Sequence, residues 1–315
     1  MKRFPIAAIA VFAIAAMPAF AAESSAKSNA PAKAPVKAQK SVTHGSVTID
    51  GHRISYDATA GTLILKNKDD KPIASMSYVA YVKSGVDDES RRPVTFFYNG
   101  GPGSSTIWLH MLAFGPQRVV VGSGTLTPPA PYKLVNNDDS LLDASDLVFI
   151  DAPGTGYGRV IGKDEGGAGT PADVYGIDPD AHAFAQFITR YLTENGRWNS
   201  PKFLFGESYG TTRSAVLAYI LENEDNVGLN GVILLSQRLN WSINVDFPQI
   251  NPGSNISYAL ALPSYAATAW YHHKLPQSPK DLDTFLKEVE HFAMNDYMLA
   301  LNRGSELDNA TKRRV

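Results

Sequence analysis

Residues 203–210, which read FLFGESYG, decide the fold. The apolar run Phe203 to Phe205 predicts a buried strand, and a helical pattern over Thr211 to Leu221 follows it. Between the two lies a G-x-S-x-G motif centred on Ser208, in the strand–turn–helix setting of a nucleophile elbow. A serine on so sharp a turn needs glycine neighbours, because side chains there would crowd its hydroxyl. This context favours a catalytic serine over a chance match.

Apolar runs alternate with helical segments on both sides of this motif. The other runs are Val94 to Tyr98, Leu147 to Ile150 and Val232 to Leu235, and Ala181 to Leu192 has helical spacing. Buried strands that alternate with helices predict an α/β fold with a mostly parallel sheet and helices on both faces. Three short β-rich stretches within residues 46–83 predict antiparallel strands ahead of this sheet. Apolar spacing over Pro279 to Asn302 predicts an amphipathic helix.

A second glycine-rich motif lies upstream of the elbow, directly after the predicted strand Val94 to Tyr98. Residues 99–105 read NGGPGSS, and three glycines around a proline can present backbone N–H groups to a site. An ordinary glycine turn is the alternative. A phosphate-binding loop is disfavoured because the motif lacks the Gly-Lys-Ser/Thr ending.

Composition excludes several classes of protein. The chain has 315 residues, a formal net charge of −2 and no cysteine. Its pI near 6.4 argues against a nucleic-acid partner, whose binding surface would be basic. The absence of cysteine excludes disulfides, thiolate metal sites and a cysteine nucleophile within the chain, which leaves serine as the candidate nucleophile at the elbow.

The first residues predict an exported protein. Lys2 and Arg3 precede the apolar run Ile6 to Met17, and residues 19–21 form a small-x-small cleavage pattern. We predict a signal peptide over residues 1–21 and a periplasmic or extracellular location. The run is shorter than the roughly 20 residues that span a bilayer, and we expect no transmembrane segment in the mature chain.

Residues 22–42 are rich in Ala, Lys, Pro and Ser, with no aromatic residue. Such a segment cannot bury enough apolar surface to offset its ordering entropy, so we predict a disordered linker.

Three motifs together carry a family resemblance. Residues 99–105 (NGGPGSS), 151–158 (DAPGTGYG) and 206–210 (GESYG), in this order and spacing, resemble the serine carboxypeptidases, the α/β-hydrolase family of carboxypeptidase Y and cathepsin A. The resemblance covers Pro93 to Trp241 and is greatest to a bacterial exported branch. The alternative for residues 151–158 is a dinucleotide-binding loop, but its final spacing does not fit.

The resemblance implies an α/β-hydrolase fold with a helical cap insertion and a serine-type carboxypeptidase activity that needs no metal or organic cofactor. It implies that Ser208 is the acylated nucleophile and that the backbone N–H groups of Gly101 and Tyr209 form the oxyanion hole. The partner would be a peptide substrate, whose free C-terminal carboxylate would be bound by Asn99, Gly100 and Glu207.

One position departs from the family pattern. The family places a glutamate two residues before a Gly-Pro pair, where it shares a proton with the elbow glutamate in acid. Here Ala113 precedes Gly115-Pro116, so Glu207 has no like-charged partner. We therefore expect less dependence on acid than in the family, or a weaker preference for a free C-terminus.

A general base for Ser208 is not evident. In this fold the triad order is Ser, Asp, His, each on a later loop. The histidines downstream of Ser208 are His272, His273 and His291. All three lie in aromatic or amphipathic segments and are interpreted as cap residues, and Asp246 is not interpreted as the triad acid. We expect the triad Asp and His beyond residue 315.

The predicted organisation is an incomplete α/β-hydrolase domain over residues 43–245 and the start of a helical cap over 246–315, with the C-terminal part of the fold missing. Two other functions stay open. One is an esterase or acyltransferase on the same fold, and the other is a catalytically inactive, peptide-binding fragment.

Overall fold

A computed structural model describes residues 36–122, 126–127, 129–238, 240–243, 248–277 and 279–315. The predicted signal peptide (1–21) and most of the predicted linker (22–42) lie outside these ranges. The first strand begins at Lys40, inside the C-terminal end of the segment predicted as linker. No helix within these ranges is long and apolar enough to cross a membrane.

The secondary structure alternates between strands and helices in the order that the apolar runs predict. The strands are β1 (Lys40–Ile49), β2 (His52–Lys66), β3 (Pro72–Lys83), β4 (Val94–Tyr98), β5 (Gln117–Val119), β6 (Leu134–Asn136), β7 (Asp146–Ile150), β8 (Arg159–Val160), β9 (Lys202–Glu207) and β10 (Gly231–Leu235). The α-helices are α1 (Ile177–Glu194), α2 (Tyr209–Asn223), α3 (Ile256–Tyr271), α4 (Leu282–Phe292), α5 (Met298–Arg303) and α6 (Asn309–Arg314). Two π-helical segments lie at Leu109–Phe114 and Ala293–Tyr297.

The main sheet has a parallel centre and an antiparallel flank. Its strand order is β1-β2-β3-β7-β4-β9-β10, with β8 paired to β3. Strands β7, β4, β9 and β10 pair in parallel, whereas β1, β2, β3 and β7 pair antiparallel. The predicted mixed arrangement is therefore confirmed. Because β4, β7 and β9 run in the same direction, the loops that follow them meet at one edge of the sheet.

Both faces of the central strands are buried, as expected for strands with helices or loops on each side. Phe96 packs in one core with α1 and α2, among them Phe184 and Leu217. The next residue, Phe97, points to the opposite face and stacks between Phe149 and Phe205, with ring centroids 4.8 and 5.0 Å away. Continuous apolar runs in the sequence follow from this two-sided burial.

At its far side the sheet ends in an apolar edge strand. The exposed fractions of four consecutive β10 residues are 40–41%: Val232, Ile233, Leu234 and Leu235. The helices that follow, α3 to α5, pack mainly on one another. The amphipathic helix predicted over Pro279 to Asn302 is divided here into α4 and α5 by the π-helical segment.

A buried ion cluster holds the opposite end of the parallel strands. Asp146, fully buried at the start of β7, accepts hydrogen bonds from Arg92 Nε at 2.7 Å and Arg197 Nη1 at 2.6 Å. Arg197 is also buried, and its Nη2 donates to the carbonyl oxygen of Arg92. This cluster ties the segments that enter β4, β7 and β9 together, at the edge remote from Ser208.

His110 is partly buried in the π-helical segment behind the glycine-rich motif. Its ring stacks on Phe149 at 4.7 Å, and its Nε2 lies 2.8 Å from the hydroxyl oxygen of Tyr81. Burial lowers the pKa of His110 to about 4, because the surrounding apolar rings disfavour the charged imidazolium. His110 is thus neutral in the folded protein at neutral pH.

The low pKa of His110 predicts acid destabilisation. Between pH 6.5 and pH 4 the unfolded chain binds a proton at this histidine and the folded chain does not. The free energy of unfolding should therefore fall as pH decreases through this window, by about 2–3 kcal/mol from this group. Urea unfolding from pH 7 to pH 4 measures the effect. His110→Gln should show a shallower dependence, the exposed control His52→Gln should follow wild type, and equal slopes in all three proteins would contradict the prediction.

Candidate active site

Ser208 stands between β9 and α2 in a strained backbone conformation. Its φ of 57° and ψ of −120° lie in a region that residues with side chains rarely adopt. Such a conformation costs on the order of 1–3 kcal/mol and persists only where the surroundings hold it. The Ser208 N–H donates to Leu235 O at 3.0 Å, and Thr211 N–H donates to Ser208 O at 3.0 Å. The predicted sharp turn is confirmed.

The two motif glycines are required by close backbone approach. A Cβ atom at Gly206 would lie 2.2 Å from Gly210 O, and one at Gly210 would lie 2.9 Å from Tyr98 O. Helix α2 consequently begins against the end of β4. The turn itself therefore requires glycine at position 206, and the end of β4 requires glycine at position 210.

The glycine-rich motif packs directly on this turn. A Cβ atom at Gly100 would lie 2.4 Å from Tyr209 N and 2.9 Å from Ser208 Cβ. Gly101 follows with a φ of +109°, a conformation that favours glycine. The Gly100 carbonyl accepts a hydrogen bond from Ser104 N–H at 3.1 Å, which closes the loop. The structure therefore brings the upstream loop and the serine turn into one site.

Glu207 joins the same cluster through hydrogen bonds. Its Oε2 accepts from Asn99 Nδ2 at 3.0 Å and from Gly100 N–H at 3.3 Å. Asn99 is buried, and its Oδ1 accepts from Leu109 N–H at 3.2 Å. The six predicted site residues thus lie together: Asn99, Gly100, Gly101, Glu207, Ser208 and Tyr209. Ala113 lies in the π-helical segment, where its carbonyl accepts from Asn137 Nδ2.

Asp151 connects the third motif to the glycine-rich loop, a role that the sequence did not reveal. Its carboxylate accepts from Ser77 Oγ at 2.7 Å and from Thr106 N–H at 2.8 Å. A Cβ atom at Gly156 would lie 2.1 Å from Asp151 Oδ2, so the glycine there is needed for this contact. A cleft of about 890 Å³ adjoins these residues, and Tyr157 and Ser105 are among those that line it.

No general base contacts Ser208 in the described part of the chain, which includes all seven histidines. Within those residues, no side chain is hydrogen-bonded to the Ser208 hydroxyl. The histidine side chains with a hydrogen-bonding neighbour are His44 (Asp57), His110 (Tyr81) and His291 (Asn295). His272 caps the C-terminus of α3, and His273 follows it with a φ of 54°. Asp246, considered above as a triad acid, lies outside the described residues.

The contact between Gly100 and the serine turn predicts unequal effects of two alanine substitutions. Gly100→Ala should lower the free energy of unfolding by about 1–3 kcal/mol, because the new methyl group overlaps Tyr209 N. Gly103→Ala should change it by less than about 0.5 kcal/mol, since a Cβ atom there meets nothing within 4 Å. Urea denaturation of both variants tests this. Equal stability of the two variants would show that the loop does not pack on the turn as described.

Two sequence comparisons with known proteins bear on the family of this chain. The sequence profile described as serine carboxypeptidase matches residues 59–245, more than half of the chain. The chain is 25% identical over 184 residues to serine carboxypeptidase-like 36 of Arabidopsis thaliana, which covers 56% of this chain and 34% of that relative.

A solved structure shares the fold. The structure of Kex1(Δ)p, a prohormone-processing carboxypeptidase from Saccharomyces cerevisiae, superposes with a TM-score of 0.50 at 21% identity, over 81% of this chain and 49% of that one. The chain therefore spans about a third of the length of one relative and about half of the other. With its elbow at Ser208 and its parallel central sheet, the chain has an α/β-hydrolase fold and belongs to the serine carboxypeptidase family.

Proposed function

We propose that the protein is a serine-type carboxypeptidase that hydrolyses C-terminal peptide bonds through an acyl-enzyme at Ser208. The observation that carries this proposal is the packing of Gly100 on the Ser208–Tyr209 turn, with a would-be Cβ only 2.4 Å from Tyr209 N. This contact brings together the residues that we propose as nucleophile, oxyanion donors and carboxylate-binding cluster. The family membership supports a peptide as substrate.

The chemical role of each backbone group follows from acyl transfer. Attack by Ser208 Oγ on a peptide carbonyl places negative charge on the carbonyl oxygen, and preorganised N–H groups stabilise that charge. The proposed donors are Gly101 N–H and Tyr209 N–H. Tyr209 is also the first residue of α2, whose N-terminal dipole favours negative charge at the same place. Water then hydrolyses the acyl-enzyme.

The cluster of Asn99, Gly100 and Glu207 is the proposed binding site for the substrate's C-terminal carboxylate. Both N–H donors of this cluster are hydrogen-bonded to Glu207 Oε2 in the structure. A substrate carboxylate would have to share these donors with the Glu207 carboxyl. Because Ala113 replaces the second carboxyl of the family, the site holds one like-charged group fewer to repel a substrate carboxylate, and we propose that it depends less on acid pH than the family's site.

The same replacement favours a second candidate function, an esterase or acyltransferase. With one carboxyl of the pair missing, a free C-terminal carboxylate adds less binding free energy than in the family. An acyl substrate that lacks this carboxylate is therefore at a smaller disadvantage. The two functions differ in substrate and share Ser208 and the proposed oxyanion hole.

We also propose that the general base is a histidine outside residues 1–315. The support is the absence of a hydrogen-bonded histidine at Ser208 among the described residues. The proposed location of the protein is periplasmic or extracellular, on the basis of the signal-peptide pattern in residues 1–21.

Peptides that differ only at the C-terminus test the proposed activity, with the protein purified from the cells that make it. A peptide with a free carboxylate should lose its last residue at least about 10-fold faster than its C-terminal amide, as measured by mass spectrometry. Ser208→Ala should reduce the rate by about 10⁴-fold or more. Ser84→Ala, a control at an exposed serine, should retain it. Ester turnover without trimming of either peptide would favour the second candidate.

Labelling by a fluorophosphonate tests the proposal about the base. The 315-residue chain should label at Ser208 much more slowly than the protein purified from cells, by about 10³-fold or more, because no base activates the hydroxyl. Ser208→Ala serves as the blank. Equally rapid labelling of the 315-residue chain would mean that the base lies within residues 1–315.

A further inference from the structure

Arg213, on the second turn of α2, is fully buried and lies beside the glycine-rich loop. Its guanidinium forms a two-pronged ion pair with Asp180, in the first turn of α1. The Nε–Oδ2 distance is 2.6 Å and the Nη2–Oδ1 distance is 3.1 Å. The Phe184 ring lies 4.2 Å from the guanidinium carbon, so the cation is enclosed by aromatic as well as polar groups. Asp180 therefore fixes the orientation of the guanidinium.

The remaining donors of Arg213 hold the loop itself. Nη1 donates to the carbonyl oxygen of Asn99 at 2.9 Å, and Nη2 donates to that of Pro102 at 3.4 Å. These two carbonyls flank Gly100 and Gly101. Since glycine restricts its own backbone least, this stretch needs external contacts to keep one conformation.

The hydrogen bonds set the direction of two successive peptide planes. In the Asn99–Gly100 peptide, the carbonyl accepts from Arg213 and the N–H donates to Glu207. In the Gly100–Gly101 peptide, the carbonyl accepts from Ser104 N–H. Because a trans peptide is planar, holding each carbonyl also directs the N–H on the opposite side. The Gly101 N–H is the group so directed in the second peptide.

We propose that Arg213, oriented by Asp180, is a positioning residue that holds the Asn99–Pro102 loop against α2 and so aligns Gly101 N–H with Tyr209 N–H. The catalytic part of this inference rests on the proposed function, whereas the ordering of the loop does not. Lysine could not replace Arg213, because a single ammonium cannot pair with both carboxylate oxygens and reach two carbonyls in one plane.

The chain contains a matched control for this arginine. Arg197 is also buried and ion-paired to an aspartate, Asp146, and it also donates to a backbone carbonyl, that of Arg92. It lies at the edge of the sheet remote from Ser208. Replacing either arginine therefore disturbs a buried ion pair, whereas only replacing Arg213 also removes contacts with the Asn99–Pro102 loop.

The experiment compares Arg213→Lys with Arg197→Lys in two measurements. Hydrogen exchange of a peptide spanning residues 98–106 should be at least about 10-fold faster in folded Arg213→Lys than in Arg197→Lys, which should exchange as wild type does. In the protein purified from cells, Arg213→Lys should lower kcat by about 100-fold with KM changed by less than about threefold, because donor alignment matters most in the transition state. Asp180→Asn should change both quantities in the same direction.

The outcomes separate this inference from the proposed function. If wild type neither labels nor turns over substrate, the proposed function fails, and hydrogen exchange alone decides on the positioning of the loop. Unchanged exchange over residues 98–106 in Arg213→Lys overturns the inference, whether or not the protein is active. Faster exchange with an unchanged kcat in an active protein overturns its catalytic part. If Arg213→Lys does not fold, Asp180→Asn supplies the same comparison.

Discussion

The site depends on one steric constraint: the backbone of Gly100 lies against the turn at Ser208 with no space for a side chain. A Cβ atom at Gly100 would be 2.4 Å from Tyr209 N. Ser208 itself has a φ of 57°, which carries a cost in free energy that neighbouring contacts must offset. The glycines at 206 and 210 permit those contacts, because each lies within overlap distance of another backbone segment. The strained serine, the upstream loop and the first turn of α2 therefore form one unit.

Charged groups on both sides of Ser208 hold this unit in place. Glu207 precedes the serine and accepts from two N–H groups of the loop, whereas Arg213 follows it and donates to two carbonyls of the same loop. One peptide, Asn99–Gly100, is held by both residues. Since Arg213 is fully buried, its pairing with Asp180 supplies the compensation that a buried charge requires. These hydrogen bonds are thus concentrated on the glycine-rich stretch, where the backbone restricts its own conformation least.

Much of the fold was predictable from patterns along the chain. Apolar runs located β4, β7, β9 and β10, and strand–turn–helix context located the elbow at Ser208. These features have local signatures in the sequence, because an apolar strand and the glycines of a turn each occupy a few consecutive residues. The predicted ends of strands and helices were less accurate where the sequence pattern is weak. Strand β1 begins at Lys40 within the predicted linker, and one predicted helix is divided by a π-helical segment at Ala293–Tyr297.

The sequence by itself determined the order of strands and helices along the chain, the position of the serine turn and the family to which the chain belongs. Each of these follows from short motifs and apolar runs and from their spacing. Tertiary structure alone decided which distant groups meet. Helical periodicity does not reveal that Arg213 turns inward to Asp180, and no motif pairs Asp151 with Ser77 and Thr106. Contacts of this kind join residues 33 to 74 positions apart, and only the stacking of strands and helices brings them within hydrogen-bonding distance.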